Sequence, residues 1–315
     1  MKKIIFGTVL IFISSISACS AQKNNSTTNI ANSPQAKTDD KQNIELQNQI
    51  ELIASAAKGR VGVAAIVLET GDSVSLNPSE HFPMQSVYKL PIAMAVLQQI
   101  DAEKIKLEQK IRVEKSDFVR KGMRSPIRDK YPNGTESSVS ELLQLAVSES
   151  DGTASDVLLE LVGVEAVGKY LSELGINEMV VANTEKEFGQ DQTLQYRNWA
   201  SPQGAVALLG ALHGQRGGFS EQNRELLLKF MIESPTGPKR LKGLLPRGAI
   251  VAHKTGTSGT AEGITAATND IGIITLPNKR HLAIAVFVSE SPADEATREQ
   301  IIAKIAKAVW DKWSN

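Results

Sequence analysis

The sequence predicts an α+β fold, an α/β/α sandwich in which an antiparallel five-stranded sheet is flanked by the terminal helices and carries an inserted, all-helical lobe. Three observations predict it. Runs of β-forming residues occur near both ends of the 315-residue chain, at 61–76 and 249–288, so the two ends are expected to share one sheet. Between them, from about Ser86 to about Ser234, apolar residues recur at helical spacing. Amphipathic helices flank the β runs, one starting near Ile44 and ending near Gly59, the other from about Ala293 to Trp313. Lobe and sheet would then meet in a cleft.

The elements follow in order. Residues 1–19 read as an export signal: Lys2-Lys3, an apolar run from Ile4 to Ile16, then Ser17-Ala18-Cys19. The apolar run is short for a bilayer-spanning helix. Cys19 is the only cysteine, and Ile16-Ser17-Ala18-Cys19 resembles a bacterial lipobox, so Cys19 is expected to carry a lipid that holds the exported chain on the periplasmic face of a membrane. The alternative is cleavage after Ala18 or Ala21 and a soluble periplasmic protein. Residues 20–43 are dominated by Asn, Ser, Thr, Gln and Lys, too polar to offset ordering entropy, and read as a disordered tether. The folded domain is expected over 44–315.

Val61–Leu68 and Ser73–Leu76, separated by a Gly-Asp turn, read as a hairpin. The lobe, about 86–234, shows helical patterns at Leu90–Ile100, Val139–Val147, Ala154–Val162 and Pro202–His213. Strands return at Ala249–His253, Thr265–Leu276 and His281–Val288.

Composition narrows the chemistry. With 35 basic and 35 acidic side chains the formal charge is zero, so no basic field exists to attract nucleic acid. The four histidines, His81, His213, His253 and His281, are scattered without His-x-His or His-Glu-x-x-His spacing, and neither a metal nor a nucleotide cofactor is expected. His253 reads as a packed strand residue rather than a base.

Three short motifs occur in one order: Ser86-Val87-Tyr88-Lys89, Ser150-Asp151-Gly152 and Lys254-Thr255-Gly256. Each alone has a plain structural meaning: a helix cap, a tight turn, a strand end. Together they suggest nucleophilic catalysis. Ser86 precedes the apolar run Val87–Ile100, which places it at a helix N-terminus, where the dipole favours negative charge and the Ser86 amide can steady an oxyanion. Lys89, three residues on, shares its face and would take the serine's proton if burial and nearby cations lowered its pKa. Gly256 would let a substrate approach the strand closely, and the Thr257 amide would be the second oxyanion donor.

With these motifs, from about Ile44 onward, the chain resembles the class A serine β-lactamases, and among them the PER-type enzymes. The likeness runs through Phe82-Pro-Met-Gln-Ser-Val, Leu194-Gln-Tyr-Arg-Asn-Trp199, Gly237-Pro-Lys-Arg-Leu-Lys-Gly-Leu-Leu-Pro246 and Ala266-Ala-Thr-Asn-Asp-Ile-Gly272. The resemblance implies a β-lactamase/transpeptidase-like fold and a monomer that opens β-lactams through an acyl-enzyme on Ser86. Lys89 would assist, Ser150 would relay a proton to the leaving nitrogen, and Lys254 and Thr255 would orient the substrate carboxylate, which Arg240 would also contact. Glu185 is the expected base for the deacylating water, with Glu187 the runner-up. Two related readings remain open: a penicillin-binding D,D-peptidase, and a non-hydrolytic β-lactam-binding lipoprotein.

The chain departs from the family pattern at several points. Gly152 stands where an asparagine usually holds the substrate's side chain, and Gly189 where one commonly helps hold the water. Ala182 and Asn198 replace the Arg–Asp ion pair that usually ties the glutamate's loop. A looser loop with room for bulky cephalosporins is expected.

Overall fold

α1 (Pro34–Ala54) opens the structure, a computed structural model that describes residues 34–314. The expected signal, Cys19 and the first part of the tether lie outside the described residues. The helix begins earlier than the expected start at Ile44, so residues 34–43, read as tether, are helical: Gln35, Ala36, Lys37, Lys41 and Gln42 are all good helix formers behind a leading proline. The fold itself is the compact unit Lys41–Asn315.

A short turn, Ser55–Ala57, leads to β1 (Arg60–Val67) and β2 (Ser73–Leu76), a hairpin with Val63 opposite Leu76. β3 (Phe82–Pro83) precedes a single 3-10 turn, Gln85–Tyr88, and α2 (Lys89–Asp101). The lobe continues through β4 (Lys110–Val113), α3 (Pro126–Lys130), β5 (Thr135–Ser138), α4 (Val139–Val147), α5 (Gly152–Val162) and α6 (Val164–Glu173). It closes with β6 (Met179–Val180), α7 (Glu185–Gln190), β7 (Trp199–Ala200), α8 (Pro202–His213) and α9 (Glu221–Ile232). The chain then re-enters the sheet as β8 (Val251–Thr257), β9 (Thr260–Ala261), β10 (Ile264–Thr275) and β11 (His281–Ser291), and ends in α10 (Glu295–Trp313).

The helix boundaries have local causes. Ser138 and Glu141 satisfy each other's backbone amides as a capping box at the start of α4, and Ser201 caps α8 with Pro202 in its first turn. The lobe is helical in its bulk. It also holds two small ladders absent from the sequence reading, β4 with β5 and β3–β7–β6; their strands of two to four residues are too short to show alternation.

The main sheet runs β2-β1-β11-β10-β8, with the two-residue β9 paired to β10. All its pairings are antiparallel, and β1 joins β11 with Ala64 opposite Ala285, so the two ends of the chain do share one sheet. Both faces are covered. Leu282, Ile284, Val286 and Val288 pack with α1 and α10, while Ala283, Ala285 and Phe287 pack against the lobe. Such strands read as continuous apolar runs rather than as alternation. Among the described residues no helix is long and apolar enough to cross a membrane.

Candidate active site

Ser86 sits in the 3-10 turn that leads into α2, and the sheet holds that turn in place. The Asn269 side-chain amide, from the middle of β10, donates to the carbonyls of Pro83 (2.8 Å) and Met84 (3.1 Å). Strand β8 presses on the same spot: a Cβ on Gly256 would lie 2.2 Å from the Met84 carbonyl oxygen. The glycine expected to admit substrate is therefore required, in the first place, by the approach of β8 to the turn that carries Ser86. Gln85, just before Ser86, has φ +48, a left-handed conformation uncommon outside glycine, and its side-chain amide donates to Gln195 at 2.6 Å.

Lys89 opens α2 and is 2 % exposed. Its ammonium lies 3.0 Å from Glu185 Oε1 and donates to the Ser150 carbonyl at 2.9 Å. The Ser86 hydroxyl donates to the same Glu185 Oε1 at 3.5 Å. Serine and lysine thus meet on one carboxylate oxygen rather than on each other. The three-residue spacing gives them a common face, and the loop supplies the atom between them.

In Ser150-Asp151-Gly152 the residues divide the work. Ser150 is held at φ +58, and its hydroxyl accepts from Lys254 Nζ at 3.0 Å. Asp151 is structural: it caps α5 through the Ala154 amide and accepts from Ser125 Oγ and the Ile127 amide. Gly152 begins α5, and a Cβ there would come within 3.3 Å of Glu185 Cγ, so its bareness leaves the glutamate room.

Lys254 is fully buried on β8. Burial first, then the Lys89 charge, hold its ammonium well below the usual lysine range. Thr255 Oγ1 lies 2.8 Å from Thr236 Oγ1. Arg240 is no surface charge: it is 3 % exposed, donates to Thr257 Oγ1 at 2.8 Å and to the carbonyls of Gly256 and Asn269, and pairs with Glu299 at 3.2 Å. Ser86, Lys89, Ser150, Glu185, Arg240, Thr255 and Thr257 line one cleft of about 720 Å³.

The Glu185 loop is tied differently from the expectation of a looser one. Asn198 Oδ1 accepts from the amides of Ala182 (2.7 Å) and Asn183 (2.9 Å), and its Nδ2 donates to the Asn183 carbonyl at 2.8 Å. A neutral amide clamps the neck where the family pattern has an ion pair. Deeper in, Asp156 of α5 accepts from the Glu185 amide at 2.8 Å and the Lys186 amide at 2.9 Å. Burial pushes the Asp156 carboxyl up to about 7, with the Glu185 charge adding to the rise and the two amides opposing it. The same burial and acidic neighbours raise Tyr88 well above the usual phenol range. Glu187 is spent elsewhere, accepting from the Thr184 amide in the capping box of α7.

Asp156 and Asn269 have no role in the sequence reading, and Asn198 figures there only as half of a missing ion pair; Asp156, a carboxylate beside the apolar run Val157-Leu158-Leu159, carries a signal that could have flagged it. His253 is buried with Nδ1 2.9 Å from the Asp270 carboxylate, a packed strand residue as expected. Histidines that look scattered in sequence do converge elsewhere: His213 and His281 meet Glu69 in an arrangement that could hold a metal ion, at the opposite end of the sheet.

Comparison with known proteins gives one answer. Residues 45–313 match the β-lactamase enzyme family. The chain is 46% identical over 268 residues to the extended-spectrum β-lactamase PER-1 of Pseudomonas aeruginosa, covering 84% of this chain and 86% of that one. It is 41% identical over 269 residues to β-lactamase VEB-1 of the same organism, covering 85% and 90%. Among solved structures, a β-lactamase from Chitinophaga pinensis superimposes with a TM-score of 0.83 at 45% identity, covering 85% of this chain and 99% of that one. The TLA-3 extended-spectrum β-lactamase does so with 0.84 at 45% identity, covering 87% and 100%.

Proposed function

The chain belongs to the β-lactamase enzyme family, in its class A, and hydrolyses the cyclic amide of β-lactam antibiotics; from that premise we propose that Ser86 is the nucleophile and Glu185 the base that frees it. Ser86 Oγ bonds to the amide carbonyl carbon as its proton passes to the Lys89–Glu185 pair, and the amides of Ser86 and Thr257 receive the oxyanion. The C–N bond then breaks, and the nitrogen takes a proton through the Ser150 hydroxyl, which Lys254 Nζ touches at 3.0 Å. In the second half Glu185 removes a proton from water as its oxygen attacks the ester, and Ser86 Oγ recovers its hydrogen. Arg240 and Lys254, with Thr255, hold the substrate carboxylate. The observation that carries this reading is the single oxygen, Glu185 Oε1, set 3.5 Å from Ser86 Oγ and 3.0 Å from Lys89 Nζ.

The bare Gly152 beside Glu185, and two relatives described as extended-spectrum, support a range that includes oxyimino-cephalosporins. Purified protein is expected to turn over both a penicillin and an oxyimino-cephalosporin many times. Glu185→Gln should acylate and then persist as a drug-mass adduct in intact mass spectra, while Glu187→Gln turns over. An adduct on Glu187→Gln instead would move the base to that residue, and an inert oxyimino drug would end the spectrum assignment.

The exported, membrane-held location rests on the signal-like residues 1–19 and on Cys19. Cys19→Ala should move activity from the membrane to the soluble fraction; an unchanged membrane fraction would rule out the lipid there.

A further inference from the structure

We propose that Glu69, His213 and His281 form a binding site for one divalent transition-metal ion, with zinc the fitting case, remote from the catalytic cleft. The three residues come from different elements. Glu69 follows β1, His281 opens β11, and His213 is the last residue of α8. They nonetheless place one ligand atom each within 4.8 Å of the others.

The donor set is the first argument. Two imidazoles and a carboxylate are what zinc takes when one position stays open to water, and these side chains are partly exposed, so water can fill it. Bonds of about 2.0–2.1 Å set tetrahedral ligands roughly 3.3 Å apart, so turns of the side chains by about an ångström close the shell. The imidazoles of His213 and His281 already face each other with ring centroids 4.3 Å apart. Glu69 Oε1 and His281 Nδ1 share a hydrogen bond of 2.6 Å, whose proton the ion would displace.

Rigidity is the second. The Leu68 amide donates to the His281 carbonyl at 2.8 Å and the His281 amide to Glu69 Oε2 at 2.8 Å, so two of the three ligands are set by the sheet itself. The third stands at the C-terminal end of α8, where the helix presents carbonyl oxygens and favours a cation. One positive group, Arg224 of α9, acts on His213, and its guanidinium is engaged by Glu221, with Nε at 2.9 Å. A bound ion would staple α8, and with it the lobe, to the β1–β11 pair.

The site is far from the chemistry. His281 is opposite Thr275 of β10, whereas Thr257 in the cleft is opposite Thr268, a separation of roughly 23 Å along the strand at about 3.3 Å per residue. Metal binding and hydrolysis can therefore be read separately, and neither outcome depends on the roles assigned to Ser86 and Glu185.

The test uses the full chain stripped with a chelator, zinc chloride as the probe, and hydrolysis of a chromogenic cephalosporin as the check on folding. Titration calorimetry should find one zinc per chain, and zinc at ten times its dissociation constant should raise the melting temperature by about 3–6 °C. His213→Ala, His213→Gln and Glu69→Gln should each weaken binding at least about tenfold and cut the melting shift to about a third or less while hydrolysing the cephalosporin as the parent does. A parent chain that neither binds zinc nor shifts, or correctly folded variants that bind it as well as the parent, would overturn the proposal.

Discussion

On one face of the sheet, Leu282, Ile284, Val286 and Val288 of β11 meet Ile301, Ile305 and Trp310 of α10, an apolar layer in which the side chains do nothing but fill space. On the lobe side, Lys89, Asp156 and Lys254 are buried as well, each 6 % exposed or less. The first layer gains free energy simply by leaving water, about 1.5–3 kcal/mol for each large side chain. The second bears charges whose desolvation is offset only by partners: Lys89 by Glu185, Asp156 by two backbone amides. The apolar layer and the buried lysines beside Ser86 thus lie on opposite faces of the same five strands.

The largest expected effect lies on the reactive face. Ser86→Ala should lower kcat/KM by about 10⁴-fold or more while the melting temperature stays level or rises, because Ser86, as the proposed nucleophile, would contribute chemistry rather than packing. A variant that melts well below the parent would mean that the two faces are not divided in this way. Next comes the opposite face. Ile284→Ala should cost about 2–5 kcal/mol of stability in urea unfolding and leave kcat where it was. A tenfold fall in kcat of the folded variant would show that the apolar layer also shapes the cleft.

Asp156→Asn sharpens the comparison with a smaller effect. A carboxyl raised from 3.8 to about 7 keeps in the folded protein, between those values, a proton that the unfolded chain has lost. Folding stability therefore falls as pH rises from about 4 to about 7 on account of this group, and asparagine should flatten that slope. Asparagine also has one acceptor oxygen where the carboxylate offers two, so either the Glu185 or the Lys186 amide loses its partner and deacylation should slow by roughly tenfold. Urea midpoints and burst kinetics across that pH window check both; an unchanged slope would remove Asp156 from the pH response.

The sequence by itself determined what depends on near neighbours in the chain. The boundaries of α4 and α8 were legible because Ser138 with Glu141, and Ser201 with Pro202, satisfy backbone amides within one helical turn. The sheet's order of entry was legible from β-forming runs at both ends, and Ser86 and Lys89 from a spacing that any helix converts into a common face. Only the tertiary structure decided which groups those faces would meet. Asn269 reaches Pro83 across 186 positions, Lys254 reaches Ser150 across 104, and His281 reaches Glu69 across 212. The physical reason is that a cap or a period is set by a handful of consecutive residues. Asp156 and Asn198, by contrast, found their partners only after helices and strands had packed and left particular backbone amides without water.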